Sequence, residues 1–184
     1  MSDPVTFREL LTGAGIVYVD AGVVALHLAG DPAYLPLTRV LLGGMRDREF
    51  AGFTSAITIY QLLVQPYRSG HEEMAARVER LVATLPGLEI VPVSATIARQ
   101  AAQVKAQIGG GLPRAIQIAT ALAGDSELYV TQRSTLRRIA GLGVAQLDAF
   151  RKADSDGAGP PSPRTRPVPA PGGDRRRRPS GGTA

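Results

Sequence analysis

Between residues 15 and 150 the chain alternates short apolar runs of β type with stretches of helical periodicity, and this restricts its fold more than any other feature. The runs are "GIVYVD" (15–20), "FAGFTS" (50–55), "LEIVPV" (88–93), "ELYVT" (127–131) and "VAQLD" (144–148). Most lack strict apolar–polar alternation, which suits parallel strands covered on both faces. Between them lie helical patterns near 22–29, 35–46, 55–68, 71–85, 94–108, 113–123 and 134–140. In "SGHEEMAARVERLVATL" the set Met74, Val78, Leu81, Val82, Leu85 recurs at three and four, with acids in the first turn. Strands alternating with helices predict a three-layer α/β/α sandwich around a central parallel sheet of about five strands. Residues 1–14 read as an N-terminal extension, 15–150 as the domain, and no internal repeat is present. In open parallel sheets ligands sit beyond the carboxyl ends of the strands. That singles out Asp20, the start of the helix after the second strand, and the residues after Thr131.

The apolar fraction of 44% is enough for a core, and with no Trp and few aromatics Leu, Val, Ile and Ala must fill it. The absence of Cys excludes disulfides and thiolate metal sites, in keeping with a cytoplasmic protein. The best apolar run, "GIVYVDAGVVALHLAG", is cut by Asp20 and His27, short of the ~18 clean residues a membrane span needs. The opening "MSDPVTFREL" lacks the basic-then-apolar order of a signal peptide. The expectation is a soluble protein with no membrane contact.

Charge is unevenly placed. Residues 151–184 carry eight basic and three acidic side chains, which is the whole net charge of +5; the first 150 carry thirteen of each. The basic pI therefore belongs to the tail. Rich in Pro, Gly, Ser and Arg, this segment has almost nothing to bury and reads as disordered. Its "DRRRRPS", with Arg175, Arg176, Arg177 and Arg178, suits nucleic-acid phosphates through counterion release; a solvated tail accounts for it equally well.

Several chemistries are missing. No GxxxxGK[ST] occurs, and Gly109–Gly111 lacks a preceding strand, so a phosphate loop is not formed. His27 lies in an apolar helix and neither it nor His71 has a ligand partner at useful spacing. There is no Cys nucleophile and no GxSxG elbow. Asp20 does stand out, ending an apolar strand and opening a helix. A helix N-cap accounts for it on its own, and so would a metal-ligand role. "GGGLPRAIQIATAL" (109–122) presents the opposite oddity. Pro113 suits the first helical position, yet Arg114 places a cation at the positive end of the helix dipole, where an acid is favoured by ~0.3–1 kcal/mol.

The collinear set "IVYVDAGVVALHL", "FTSAITIYQLL" and "LPGLEIVPVSATIARQAAQVKAQIGGGLPRAIQIATALAGDSELYVTQRSTLRRIAGLGV" resembles the PIN domain over about residues 15–150, especially the bacterial toxin ribonucleases of VapC type. The resemblance implies metal-dependent phosphodiester cleavage by three or four carboxylates holding Mg²⁺ or Mn²⁺, a homodimer, and an antitoxin partner. Asp20 matches the first acidic position. The second falls on Gln61, the third on Arg114 and the fourth on Arg133, so one amide and two guanidinium groups stand where acids are implied. Two cations repel a divalent ion through the Coulomb term that acids use to attract it. No metal cofactor is therefore expected. Asp125, Glu127, Asp47 and Glu49 precede strands and belong at the opposite end; Glu72 and Glu73 open an exposed helix.

Three functions follow. The leading one is a degenerate PIN protein with little or no nuclease activity, kept to bind RNA, an antitoxin-like protein or its own copy, with Arg114 and Arg133 either pairing with Asp20 as a structural bridge or facing RNA phosphates. The second is an active Mg²⁺- or Mn²⁺-dependent endoribonuclease, and the third a pure interaction module.

Overall fold

The computed structural model describes residues 6–132 and 141–151. Its elements run α1 (Phe7–Ala14), β1 (Ile16–Val19), α2 (Ala21–Ala29), α3 (Leu35–Arg46), β2 (Ala51–Ser55), α4 (Ile57–Arg68), α5 (Glu72–Ala83), β3 (Leu88–Val91), α6 (Ala95–Ile108), α7 (Leu112–Ala123), β4 (Leu128–Thr131) and β5 (Gly143–Gln146), then a 3-10 turn at Leu147–Ala149. Local chemistry starts several of these helices. Thr6 and Glu9 form a reciprocal capping box on α1. The Ser94 hydroxyl accepts from the Ile97 amide, 3.2 Å, at α6. Glu72 and Glu73 occupy the first turn of α5 and Arg80 the last, matching the helix dipole at both ends.

All five strands are parallel in the order β3-β2-β1-β4-β5. The chain steps outward from central β1 to β2 and β3 on one side, and to β4 and β5 on the other. The order thus reverses between β1 and β4, where an open parallel sheet leaves its ligand crevice. The register pairs Val19 with Val130, Ser55 with Val91 and Thr131 with Gln146, bringing every strand's carboxyl end to one edge.

Strand side chains alternate between two apolar layers. Val17, Val19, Leu128 and Val130 join the layer of α1, α2, α3 and α5. Tyr18, Phe53 and Tyr129 join the layer of α6 and α7, with Ile97, Ala101, Ile118 and Ala119. This is the predicted three-layer sandwich on a parallel sheet of five strands.

Details differ from the sequence expectation. Part of the supposed N-terminal extension is α1, whose Phe7 and Leu11 are buried and whose Phe7 ring lies 5.1 Å from that of Phe150. The fifth strand stops at Gln146, and Asp148 lies on the 3-10 turn instead. Helix α4 starts at Ile57 rather than near 55, after Thr54 and Ser55 have closed β2. Helix α7 starts at Leu112, so Pro113 is its second residue, still among the positions whose N–H has no helical partner. The helix expected at 134–140, Arg133 and the tail lie outside the described residues. Among those described, no helix is long and apolar enough to cross a membrane.

Candidate functional site

Asp20 follows β1 and caps α2. Its backbone is extended, and its N–H continues the sheet by donating to Val130 O at 3.0 Å. One carboxylate oxygen, Oδ1, accepts from the Gly22 amide at 2.9 Å. The other, Oδ2, accepts from the Thr131 hydroxyl at 2.9 Å and meets the Tyr129 hydroxyl at 3.3 Å. Register explains the meeting: Tyr18 pairs with Tyr129 and Val19 with Val130, so Asp20 falls beside Thr131. Tyr18, Asp20, Tyr129 and Thr131 then share one face of the sheet by period-two alternation.

Tyr129 was not singled out by its sequence position, nor was Gln117. The Tyr129 hydroxyl lies 2.7 Å from Gln117 Oε1, so one phenolic proton is shared between Gln117, favoured by distance, and Asp20, favoured by charge. Gln117 is buried on α7 and its Nε2 donates to Gln61 Oε1 on α4. A continuous chain of polar atoms thus joins Asp20 to Gln61 through Tyr129 and Gln117. Behind it the rings of Tyr18 and Tyr129 stack at 4.9 Å, with Phe53 edge-on to Tyr18 at 5.4 Å. Burial pushes the Tyr129 phenol well above the usual tyrosine range; the Asp20 charge pushes it the same way, and the Arg114 guanidinium opposes them. The Tyr18 phenol is also raised, mainly by burial. A pair of hydroxyls, Thr54 and Thr58, 2.7 Å apart, lies buried beside this stack; Thr54 donates to Val19 O at 2.7 Å.

The structure thus brings Asp20 and Gln61 into one network, with the half-buried Arg114 close enough for its charge to act on the same phenol. Arg133, Arg175, Arg176, Arg177 and Arg178 lie outside the described residues. The other acids stay where the sequence put them. Glu49 pairs with Arg8, Asp47 with Arg46, and the Glu127 amide donates to Ile16 O at the opposite edge of the sheet. His27 packs its Nδ1 on the Thr38 hydroxyl at 3.0 Å, and burial, aided by the Arg39 charge, lowers its pKa.

A second polar knot sits where β4 and β5 end. The Tyr34 hydroxyl donates to Asp148 Oδ1 at 2.7 Å and accepts from Gln132 Nε2 at 3.0 Å, with the Arg151 guanidinium 5.1 Å above the ring. It ties the α2–α3 connection to the sheet edge, and Asp148 serves as its acceptor.

A pair of hard divalent cations takes several anionic oxygens. The pocket offers one carboxylate, two amides, two hydroxyls and a guanidinium. Among the described residues no group of three His, Cys, Asp or Glu side chains is placed to hold a metal. Among the described residues the donor set does not fit a two-metal centre.

A solved structure from Rickettsia felis, VapBC2 bound to a DNA fragment from their promoter, superposes with a TM-score of 0.56 at 15% identity, covering 71% of this chain and 98% of that one. A toxin–antitoxin complex from Klebsiella pneumoniae gives 0.47 at 20% identity, covering 68% and 94%. No curated protein sequence matches the chain. The sequence profile of the PIN domain matches residues 17–142, from inside β1 to the residue before β5. With the parallel sheet, Asp20 at its crevice and that match over most of its length, the chain belongs to the PIN domain family.

Proposed function

We propose that this is a PIN-domain protein whose metal-dependent phosphodiester chemistry is impaired or lost, with the fold kept for binding. One observation carries the reading. The only carboxylate at the family's acidic positions, Asp20, already faces three protein donors, and position 61 is an amide wired to it through Gln117 and Tyr129. The Arg114 charge beside them makes cation entry worse. Purified protein and an Asp20→Ala variant, incubated with structured RNA in Mn²⁺ or in EDTA, test this. No cleavage is expected; cleavage needing both the metal and Asp20 overturns it.

Family membership favours a second reading, an active Mg²⁺- or Mn²⁺-dependent endoribonuclease. It requires carboxylates from residues outside the described set or from a second subunit. The same assay decides between the two.

For the binding role, the resemblance to VapC-type proteins implies an antitoxin-like protein partner and self-association, and Arg114 supports contact with RNA phosphate. With Arg114 already at the pocket, a partner segment entering it is matched by an acidic side chain rather than a basic one. Arg114→Ala separates the roles: unchanged RNA affinity with a lower melting temperature assigns Arg114 to the fold.

A further inference from the structure

We propose that Tyr129 and Gln117 form a built-in plug that closes the acidic pocket to divalent cations independently of the charge changes at Gln61, Arg114 and Arg133. The proposal rests on the impaired-site reading and names the residues that enforce it.

Between Asp20, at the end of β1, and Gln61, on α4, side-chain atoms lie in unbroken hydrogen-bond contact. Asp20 Oδ2 meets the Tyr129 hydroxyl, that hydroxyl meets Gln117 Oε1, and the Gln117 amide nitrogen meets Gln61 Oε1. Both bridging residues are buried, Tyr129 at 1% and Gln117 at 3% exposure, so the bridge belongs to the packed interior rather than to a mobile surface. Their positions are also rigid. Tyr129 is clamped by the stack on Tyr18 and by its place in β4. Gln117 lies mid-helix with buried neighbours on both sides.

The energetics point the same way. A buried phenol and a buried amide each need a partner, and losing it costs ~1–3 kcal/mol. Each is the other's partner here, so the Tyr129 hydroxyl stays on Gln117 Oε1 whether or not Asp20 Oδ2 is drawn away, while a cation taking Gln61 Oε1 strands the Gln117 amide nitrogen. The Gly22 amide and the Tyr129 and Thr131 hydroxyls that donate to Asp20 are neutral, so they meet its oxygens with hydrogen bonds without cancelling its charge. Thr131 adds a second hydroxyl to the carboxylate at 2.9 Å. Restoring acids at the three substituted positions returns attraction for a cation but leaves the bridge in place.

Mn²⁺ titration calorimetry of four proteins tests this: the natural chain, Gln61→Glu/Arg114→Asp/Arg133→Asp, Tyr129→Phe/Gln117→Ala, and the combination of all five changes. Tyr129→Phe keeps the ring stack and Gln117→Ala keeps the helix. The combined variant is expected to bind Mn²⁺ at least ~10-fold more tightly than the three-acid variant, the scale at which groups around a metal's ligands act. Equal affinity, or no binding by either folded variant, overturns the plug. Mn²⁺ binding by the natural chain, together with RNA cleavage, instead overturns the impaired-site reading. If the combined variant does not melt cooperatively, Arg114→Asp with and without Tyr129→Phe/Gln117→Ala gives the same comparison, with the same two outcomes.

Discussion

Asp20 shows how much a single carboxylate does within the fold. It caps α2, joins β1 to β4 through its own N–H, and accepts from Thr131 and Tyr129. Asp20→Ala removes the cap and takes an acceptor from the Thr131 and Tyr129 hydroxyls, the latter keeping Gln117, for an expected loss of about 1–3 kcal/mol in denaturant unfolding. Asp20→Asn, which still caps, is expected to cost less than half of that. The two stacked tyrosines set the alkaline limit. Their phenols are raised in the folded state, so folding favours the protonated form, and stability is full below the ordinary tyrosine value of 10.0 and declines above it. A melting-temperature series through that range is expected to fall, with the late part of the tyrosinate absorbance rising together with unfolding. Tyr129→Phe is expected to shrink that late step; an unchanged step assigns it to other residues. Asp20, Gln61 and Arg114 were legible in the sequence because each occupies a place in a motif. Tyr129 and Gln117 were not, since "ELYVT" and "IQIATAL" read as core. Only pairing across β1–β4 and packing of α7 on α4 turn them toward Asp20.

Helix α1 is the element that sequence reading passed over, although its signal is present: Thr6 and Glu9 have the spacing of a capping box. It has only eight residues, and its apolar face gains meaning from Phe150 and α3, far along the chain. Leu11 is fully buried there, so Leu11→Ala is expected to cost about 2–5 kcal/mol, measured by urea unfolding. A change confined to a few tenths of that range would make α1 an appendage. The turn into β3 is a second test of an element. Gly87 has φ +72°, and a Cβ there would lie 2.5 Å from the Met45 carbonyl oxygen. Gly87→Ala is therefore expected to destabilise by more than ~1 kcal/mol. Gly30→Ala is strained in φ alone, with open space around its Cβ, and is expected to cost less in the same measurement.

Taken whole, the molecule separates its charge from its fold. Residues 1–150 are neutral in sum and the excess lies in 151–184. A chain ending at Lys152 is expected to be retained less by a polyanion column, and its RNA binding to fall less steeply with salt. An unchanged salt slope would place the phosphate contacts on the domain. The sequence by itself determined the class of fold, because apolar runs without alternation must be buried on both faces and the helices between them must cover those faces. At the positions marked by the family resemblance it carries Asp20, Gln61, Arg114 and Arg133. Only the tertiary structure decided the strand order β3-β2-β1-β4-β5, the register that sets Asp20 beside Thr131, and the joining of Gln61 to Asp20 through two buried side chains. The reason is physical. Hydrophobic period is a local property that each segment carries with it, whereas hydrogen-bond partners distant in sequence are chosen when packed layers and paired strands bring them within about 3 Å.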